Sequence, residues 1–418
     1  MTAAGVDVAV VGGGPAGLSA ATELRRAGAG RVVVIEREGL AGGIPRHAHH
    51  QGFGARDLRR VMSGPRYAER WAQLAEHAGA ELRLGTQATG WTPRGALELT
   101  GPAGRTTLAA RAVVLAAGCR ERPRSARLVP GARPQGVMTT GMLQQLVYLE
   151  RERVGSRAAV VGAEHVSFSA LVTLAHGGAC AVAMTTELPR HQSLAAFRIG
   201  AAARYRTPLR TRTAVTAIRG GRRVEAVELT QLDSGSVETV ACDLVVFTAD
   251  WIPDHELAVL GGAALDPGTR GPLVDSSLRT TRPGLFAAGN VLHGAETADV
   301  AALMGRHVAT GVVGHLSGEP WPSTRVAVRC LEPLHWLVPN AVTATPSEPA
   351  RGCFLLRARE DLRAARIALA QDGRPLLCER LARVMPGRST RVPSGWTADV
   401  DPGGGPVLVR VMSARRPR

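Results

Sequence analysis

Apolar residues fill Val6 to Val11 almost without a break. A glycine-rich segment then leads into Pro15 to about Ala27, where apolar positions return at three- and four-residue intervals, and a second apolar run covers Arg31 to Ile35. Strand, helix and strand in that order make a βαβ unit. The same grammar returns at Ala158 to Val161, with a helical stretch to about His176 and a strand at Ala179 to Met184. Two such units imply two doubly wound α/β domains in one chain.

Between them, Ala96 to Thr100 and Thr106 to Ala110 alternate around Gly101-Pro102-Ala103-Gly104, ahead of the apolar strand Ala112 to Ala116. A matching excursion at Val224 to Thr239 turns at Asp233-Ser234-Gly235 and precedes the strand Asp243 to Thr248. Beyond about Pro320 the pattern changes to short alternating runs: Gly352 to Arg357, Arg366 to Ala370, Pro375 to Glu379 and Val407 to Val411. The expected fold class is therefore α/β. Two Rossmann-like domains, the second inserted in the first, are followed by a small, mostly β domain. The expected boundaries are 1–125 with 255–318 for the first, 126–254 for the second and 320–418 for the third. Deleting the residues after Pro320 should leave the first domain's ligand bound and weaken a complex with a partner.

Composition narrows the class. With 418 residues and 45% hydrophobic content the chain can bury more than one core. Its formal charge is +16, and all 51 basic residues are arginine. The absence of lysine excludes Schiff-base and lysine general-base chemistry. The arginines are scattered, and at 4% the aromatics are too few to interleave a basic stripe, so the expected partners do not include nucleic acid. Six isolated cysteines show no CxxC spacing, which suggests neither a zinc site nor a local redox disulfide. With no signal-like start and no apolar run long enough to span a bilayer, the expected location is cytoplasmic, without membrane insertion.

Candidate chemistry begins at Val10-Val11-Gly12-Gly13-Gly14-Pro15-Ala16-Gly17, a GxGxxG on Gly12, Gly14 and Gly17 between strand and helix. The first glycine makes the tight turn, the second admits a pyrophosphate to the backbone, and the third lets helix and strand pack closely. Glu36 ends the second strand, where a carboxylate can accept from ribose hydroxyls. Two further segments choose FAD over NAD: Val113 to Gly118, and Leu285-Phe286-Ala287-Ala288-Gly289-Asn290, each a buried strand ending in small residues beside which a ribityl chain can pass. These segments resemble the pyridine nucleotide-disulfide oxidoreductase superfamily, thioredoxin-reductase-like branch, over roughly residues 5 to 316. The resemblance implies FAD held by Gly12, Gly14, Pro15, Ala16, Gly17, Glu36, Arg37, Gly43, Ala88, Ala117, Gly118, Gly289 and Asn290. Asn290 stands where the superfamily usually has Asp, with an amide still able to bond ribityl hydroxyls.

Gly42-Gly43-Ile44-Pro45-Arg46-His47-Ala48-His49-His50 and Ser63-Gly64-Pro65-Arg66-Tyr67 resemble more narrowly the flavoprotein subunits of opine oxidase, hydrogen cyanide synthase, sarcosine oxidase alpha and the type associated with glycerol-3-phosphate dehydrogenase. Relatives of the last type often carry Cys where this chain has Ala48, so thiol chemistry is not expected. The resemblance puts the loop beside the isoalloxazine ring and makes His49 and His50 the candidate catalytic residues, stabilising charge on reduced flavin or moving a proton at N5. The plainer alternative is a polar loop lining. No carboxylate or Cys lies near enough in sequence to complete a ligand set with His47, His49 and His50, and no metal is expected.

The second βαβ turn reads Val161-Gly162-Ala163-Glu164-His165-Val166-Ser167. Glu164 replaces the glycine that admits pyrophosphate and Ser167 the close-packing one, so nucleotide binding should be opposed by bulk and charge. Cys119 reads as a packed thiol or a reactive one, and Asp250 with Trp251 as ligand-facing or hinge residues. The expected function is an FAD-dependent oxidoreductase serving a small-molecule substrate or a second flavoprotein subunit in a hetero-oligomer. The substrate expected is a small amine, amino acid or hydroxy acid, or glycerol 3-phosphate. A freestanding NAD(P)H-dependent reductase and a non-catalytic flavoprotein scaffold are the alternatives.

Overall fold

The computed structural model describes residues 5–415 apart from Leu194 and Ala295. Two compact units emerge. The first gathers residues up to 46, 51–119 and from 252 onward; the second holds 47–50 and 120–251.

The first unit opens with β1 (Val6–Val11), α1 (Pro15–Arg26) and β2 (Val32–Ile35). All four residues of β2 and five of six in β1 are buried, and each such valine is worth about 1.5–3 kcal/mol out of water. Helix α2 (Gly64–His77) follows Ser63 and buries Tyr67, Ala68, Trp71 and Ala75 along one stripe. Its Tyr67 hydroxyl and Trp71 Nε1 donate to the buried Asp57 carboxylate at 2.6 and 3.0 Å, which fixes the loop before it. After β3 (Glu81–Arg83) and a three-stranded antiparallel excursion comes β4 (Ala110–Leu115).

The second unit is built on β5 (Val137–Thr139), α3 (Thr140–Tyr148), β6 (Arg157–Val161), α4 (His165–His176), β7 (Cys180–Thr185), β8 (Leu209–Arg210) and β9 (Leu244–Phe247). These strands form one sheet in the order β5-β9-β6-β7-β8, every pair parallel. The expected excursion lies between β8 and β9 and has three strands, Thr213–Arg219, Ala226–Gln231 and Val237–Ala241.

Returning to the first unit, β10 (Leu285–Ala287) completes a parallel sheet of order β10-β4-β1-β2-β3, and α5 (Ala298–Leu316) packs on α1. The helices meet backbone to backbone, since a Cβ on Gly305 would lie 2.0 Å from the Ala16 carbonyl oxygen.

The C-terminal strands form a five-stranded and a three-stranded sheet, the latter containing β11 (Leu334–Val338) and β12 (Cys353–Ala358). They enclose a core of their own that includes Val328, Phe354, Ile367 and Val409. The other side of the same strands packs against the first unit's own core. Trp336, Val338, Cys353 and Leu355 belong to the core of β1, α1 and α5, and the Asn340 side chain accepts from the Val274 N–H at 2.7 Å. Strands buried on both faces cannot be removed without exposing the neighbour, so the compact units number two where three domains were expected. Among the described residues no helix is long and apolar enough to cross a membrane.

Candidate flavin site

Because β1, β2, β4 and β10 run in parallel, the turns after Val11, Ile35, Leu115 and Ala287 gather at one edge of the first sheet, where such folds bind ligands. The three motif glycines meet different surroundings there. A Cβ on Gly12, at φ +106°, would lie 2.4 Å from the Ala116 carbonyl oxygen, so this glycine joins the two turns. One on Gly17 would lie 1.9 Å from the Gly12 carbonyl oxygen, which is the close packing of helix on strand. One on Gly14 would meet nothing nearer than the Gly43 Cα at 4.0 Å. No contact within the protein requires Gly14 to lack a side chain, and the space beside it is open.

Helix α1 starts at Gly14 with no side-chain cap and with Pro15 in its first turn, leaving backbone N–H groups and the positive end of the helix dipole available to a phosphate. Glu36 is buried beside the turn. Its Oε2 accepts from the Gly13 N–H at 2.7 Å and its Oε1 from the Glu38 N–H at 2.8 Å, and each oxygen keeps a lone pair for a ribose hydroxyl. Arg37 is exposed next to it, and Ala88 lies two residues beyond Thr86, whose N–H donates to the Glu36 carbonyl at 2.8 Å. Ala117 and Gly118 follow β4; Gly118, at φ +78°, has no atom within 4 Å of a Cβ position. Gly289 packs on Ala16, its Cβ position 2.6 Å from the Ala16 Cβ. Gly43 in turn abuts Gly14. These residues fit the diphosphate and sugar of FAD.

Asn290 also has a task within the protein. Its Nδ2 donates to the Glu296 carbonyl at 3.2 Å and its Oδ1 accepts from the Glu296 N–H at 3.0 Å, so the amide closes the loop before α5.

The histidine loop, 47–50, groups with the second unit, and the glycine turns with the first. His47 is buried, with Nδ1 3.2 Å from Gln144 Oε1, and His49 stacks on Tyr148 at 4.0 Å and 4°. Nothing in the local sequence signals α3 as the partner of this loop. Among the described residues no group of three or more His, Cys, Asp or Glu is arranged to hold a metal.

In the second unit, Gly162 has φ +134°, close to its counterpart Gly12, but helix α4 is capped from within. The Ser167 hydroxyl accepts from the Glu164 N–H, while the Glu164 side chain accepts from the Ser167 N–H. The Glu164 carboxylate lies with Ser167 Oγ (2.8 Å) and Thr248 Oγ1 (3.4 Å), its Oε2 2.8 Å from where a Cβ on Gly162 would stand. Burial pushes its carboxyl above the usual range, against the opposing effects of Ser167 and Arg127. Asp250 forms an ion pair with Arg122 at 2.8 Å.

The family model for pyridine nucleotide-disulphide oxidoreductases matches residues 6–305. An opine oxidase subunit from Rhizobium meliloti is 27% identical over 79% of this chain and 66% of its own length, just short of two thirds. The alpha subunit of sarcosine oxidase from Rhizobium meliloti (strain 1021) is 28% identical over 80% of this chain and 33% of its own length. The crystal structure of T. acidophilum thioredoxin reductase superposes with a TM-score of 0.61 at 22% identity, covering 73% of this chain and 97% of that one, a likeness of fold. With its open glycine turn and this match over most of its length, the chain belongs to the pyridine nucleotide-disulphide oxidoreductase family and is an FAD-binding oxidoreductase.

Proposed function

We propose that the chain is the flavoprotein subunit of a heteromeric dehydrogenase or oxidase acting on a small amine, amino acid or hydroxy acid, or on glycerol 3-phosphate. Electrons go to an acceptor other than NAD(P). The observation that carries this reading is the contrast between the two helix starts: α1 leaves its first N–H groups open, whereas Glu164 and Ser167 occupy those of α4. A nicotinamide nucleotide needs those donors for its pyrophosphate. The absence of any CxxC likewise removes the dithiol that disulfide reduction requires. The names of two relatives, both subunits, support the heteromeric part of the proposal.

In this reading the turn Gly12 to Gly17 binds the cofactor diphosphate, Glu36 orients the adenosine ribose, and Gly118 with Gly289 leaves room for the sugar chain. Bound flavin supplies hydride or electron transfer at N5, chemistry that side chains lack. We assign proton transfer to the two candidate histidines of the loop, His49, which stacks on Tyr148, and His50. A freestanding NAD(P)H-dependent reductase is the second reading, favoured by the complete parallel sheet of the second unit.

The test is a screen of amines, amino acids and glycerol 3-phosphate with an artificial electron acceptor, run on the isolated protein and on the complex it forms with a co-expressed flavoprotein encoded beside it. Turnover in the complex alone is expected. Rapid turnover of the isolated chain with NADH or NADPH would overturn the proposal.

A further inference from the structure

The loop between β10 and α5 carries Gly289 and Asn290, and it is held from two sides. On one side Asn290 binds both backbone groups of Glu296. On the other, side chains of the C-terminal strands hold the Glu296 carboxylate. Arg357 of β12 donates from Nη2 to Glu296 Oε1 at 3.0 Å and from Nε to Ser389 Oγ at 3.1 Å, and the Ser389 hydroxyl donates to the same Oε1. Arg357 and Glu296 are 8% and 10% exposed. The guanidinium also lies over Trp336 of β11, 5.1 Å from the ring centroid, and His293 of the loop stacks on that indole at 4.8 Å.

Burial alone would raise the Glu296 carboxyl, yet Arg357, His293 and the Ser389 hydroxyl hold it below its ordinary range. The loop is therefore anchored by a charged pair whose cation comes from a region with no nucleotide motif.

We propose that Arg357 is a positioning residue for FAD, acting through Glu296 to fix the segment that carries Gly289 and Asn290. The inference rests on the reading of that segment as part of the flavin site. Without Arg357 the Glu296 carboxylate is buried without its ion-pair partner and must either take up a proton or leave for water; in both cases the loop loses its outer anchor. A contact that only joined strand to loop would change stability and nothing else.

The experiment compares Arg357→Met, the double variant Glu296→Gln with Arg357→Met, and Asn290→Ala. It measures thermal unfolding of the apoprotein, the dissociation constant of FAD by flavin fluorescence, and the midpoint potential of the bound flavin. The double variant leaves no unpaired charge and carries the test if Arg357→Met fails to fold. Both Arg357 variants should weaken FAD by about tenfold or more and shift the potential, whatever happens to unfolding. Weakening by Asn290→Ala, with FAD affinity and potential unchanged in the Arg357 variants, would overturn the role of Arg357 alone. An unchanged affinity in Asn290→Ala would overturn the loop reading and this inference with it.

Discussion

The Ser167 hydroxyl donates to the Glu164 carboxylate at 2.8 Å and accepts from the Glu164 N–H at 3.1 Å. Two side chains thus satisfy each other at the helix start where the same family fold elsewhere in this chain, at Gly14, offers its N–H groups outward.

Neither NADH nor NADPH should bleach the flavin rapidly, whereas Glu164→Gly with Ser167→Gly should gain saturable nucleotide-dependent reduction. Glycine is a tolerable N-cap, within a few tenths of a kcal/mol of the best residues, so the helix should persist in the double variant. Anaerobic stopped-flow absorbance of the flavin band is the measurement. Fast bleaching of the unaltered protein would sink the self-capping argument.

The glycines of the first turn should separate by what their loss affects. Gly14→Val places its Cβ where the nearest atom is 4.0 Å away, at φ −82°, so the apoprotein should unfold near the normal temperature yet fail to retain FAD. Gly17→Ala forces a Cβ within 1.9 Å of a carbonyl oxygen and should destabilise the apoprotein by about 1–3 kcal/mol. Calorimetry of both apoproteins beside flavin titrations distinguishes the two; equal loss of stability would remove the inference that Gly14 is kept for a ligand.

His293 should make the fold acid-sensitive. Burial depresses its pKa to about 4 from 6.5, so the unfolded chain takes up a proton that the folded one refuses. Stability is fully present above pH 6.5 and is lost as pH falls toward 4, by up to about 3 kcal/mol for this group. Neither ring nitrogen has a hydrogen-bond partner among the described residues, and replacement by phenylalanine, which preserves the stack on Trp336, should raise the unfolding temperature more at pH 5 than at pH 7.5. The same increment at both pH values would show that His293 does not cause the sensitivity.

The first βαβ unit is plain in the sequence because a strand period, a helix period and three spaced glycines all agree over Val6 to Ile35. Helix α2 also carried a signal, the apolar spacing of Tyr67, Trp71 and Ala75 after Ser63, but it follows the glycine- and histidine-rich segment from Gly42 to Gly54. Other features had no local signature. The pairing of His49 with Tyr148 joins segments a hundred positions apart. The opposite faces of β11 serve two cores, and alternation records only that both faces are apolar. The self-cap of α4 was half visible: the residue types at 164 and 167 were evident, whereas the inward turn of the carboxylate depends on Thr248, brought in from β9.

The split course of the first unit sets an order of events during synthesis. β4 lies between β1 and β10, and β10 follows it by an entire inserted unit, while Trp336 and Leu355, which complete the same core, lie farther on. Contacts so distant along the chain form late, after long loops have been closed. Of the two glycine turns, the one made earlier is therefore the later to be completed, and the inserted unit has its whole sheet in hand before the first can close around a flavin.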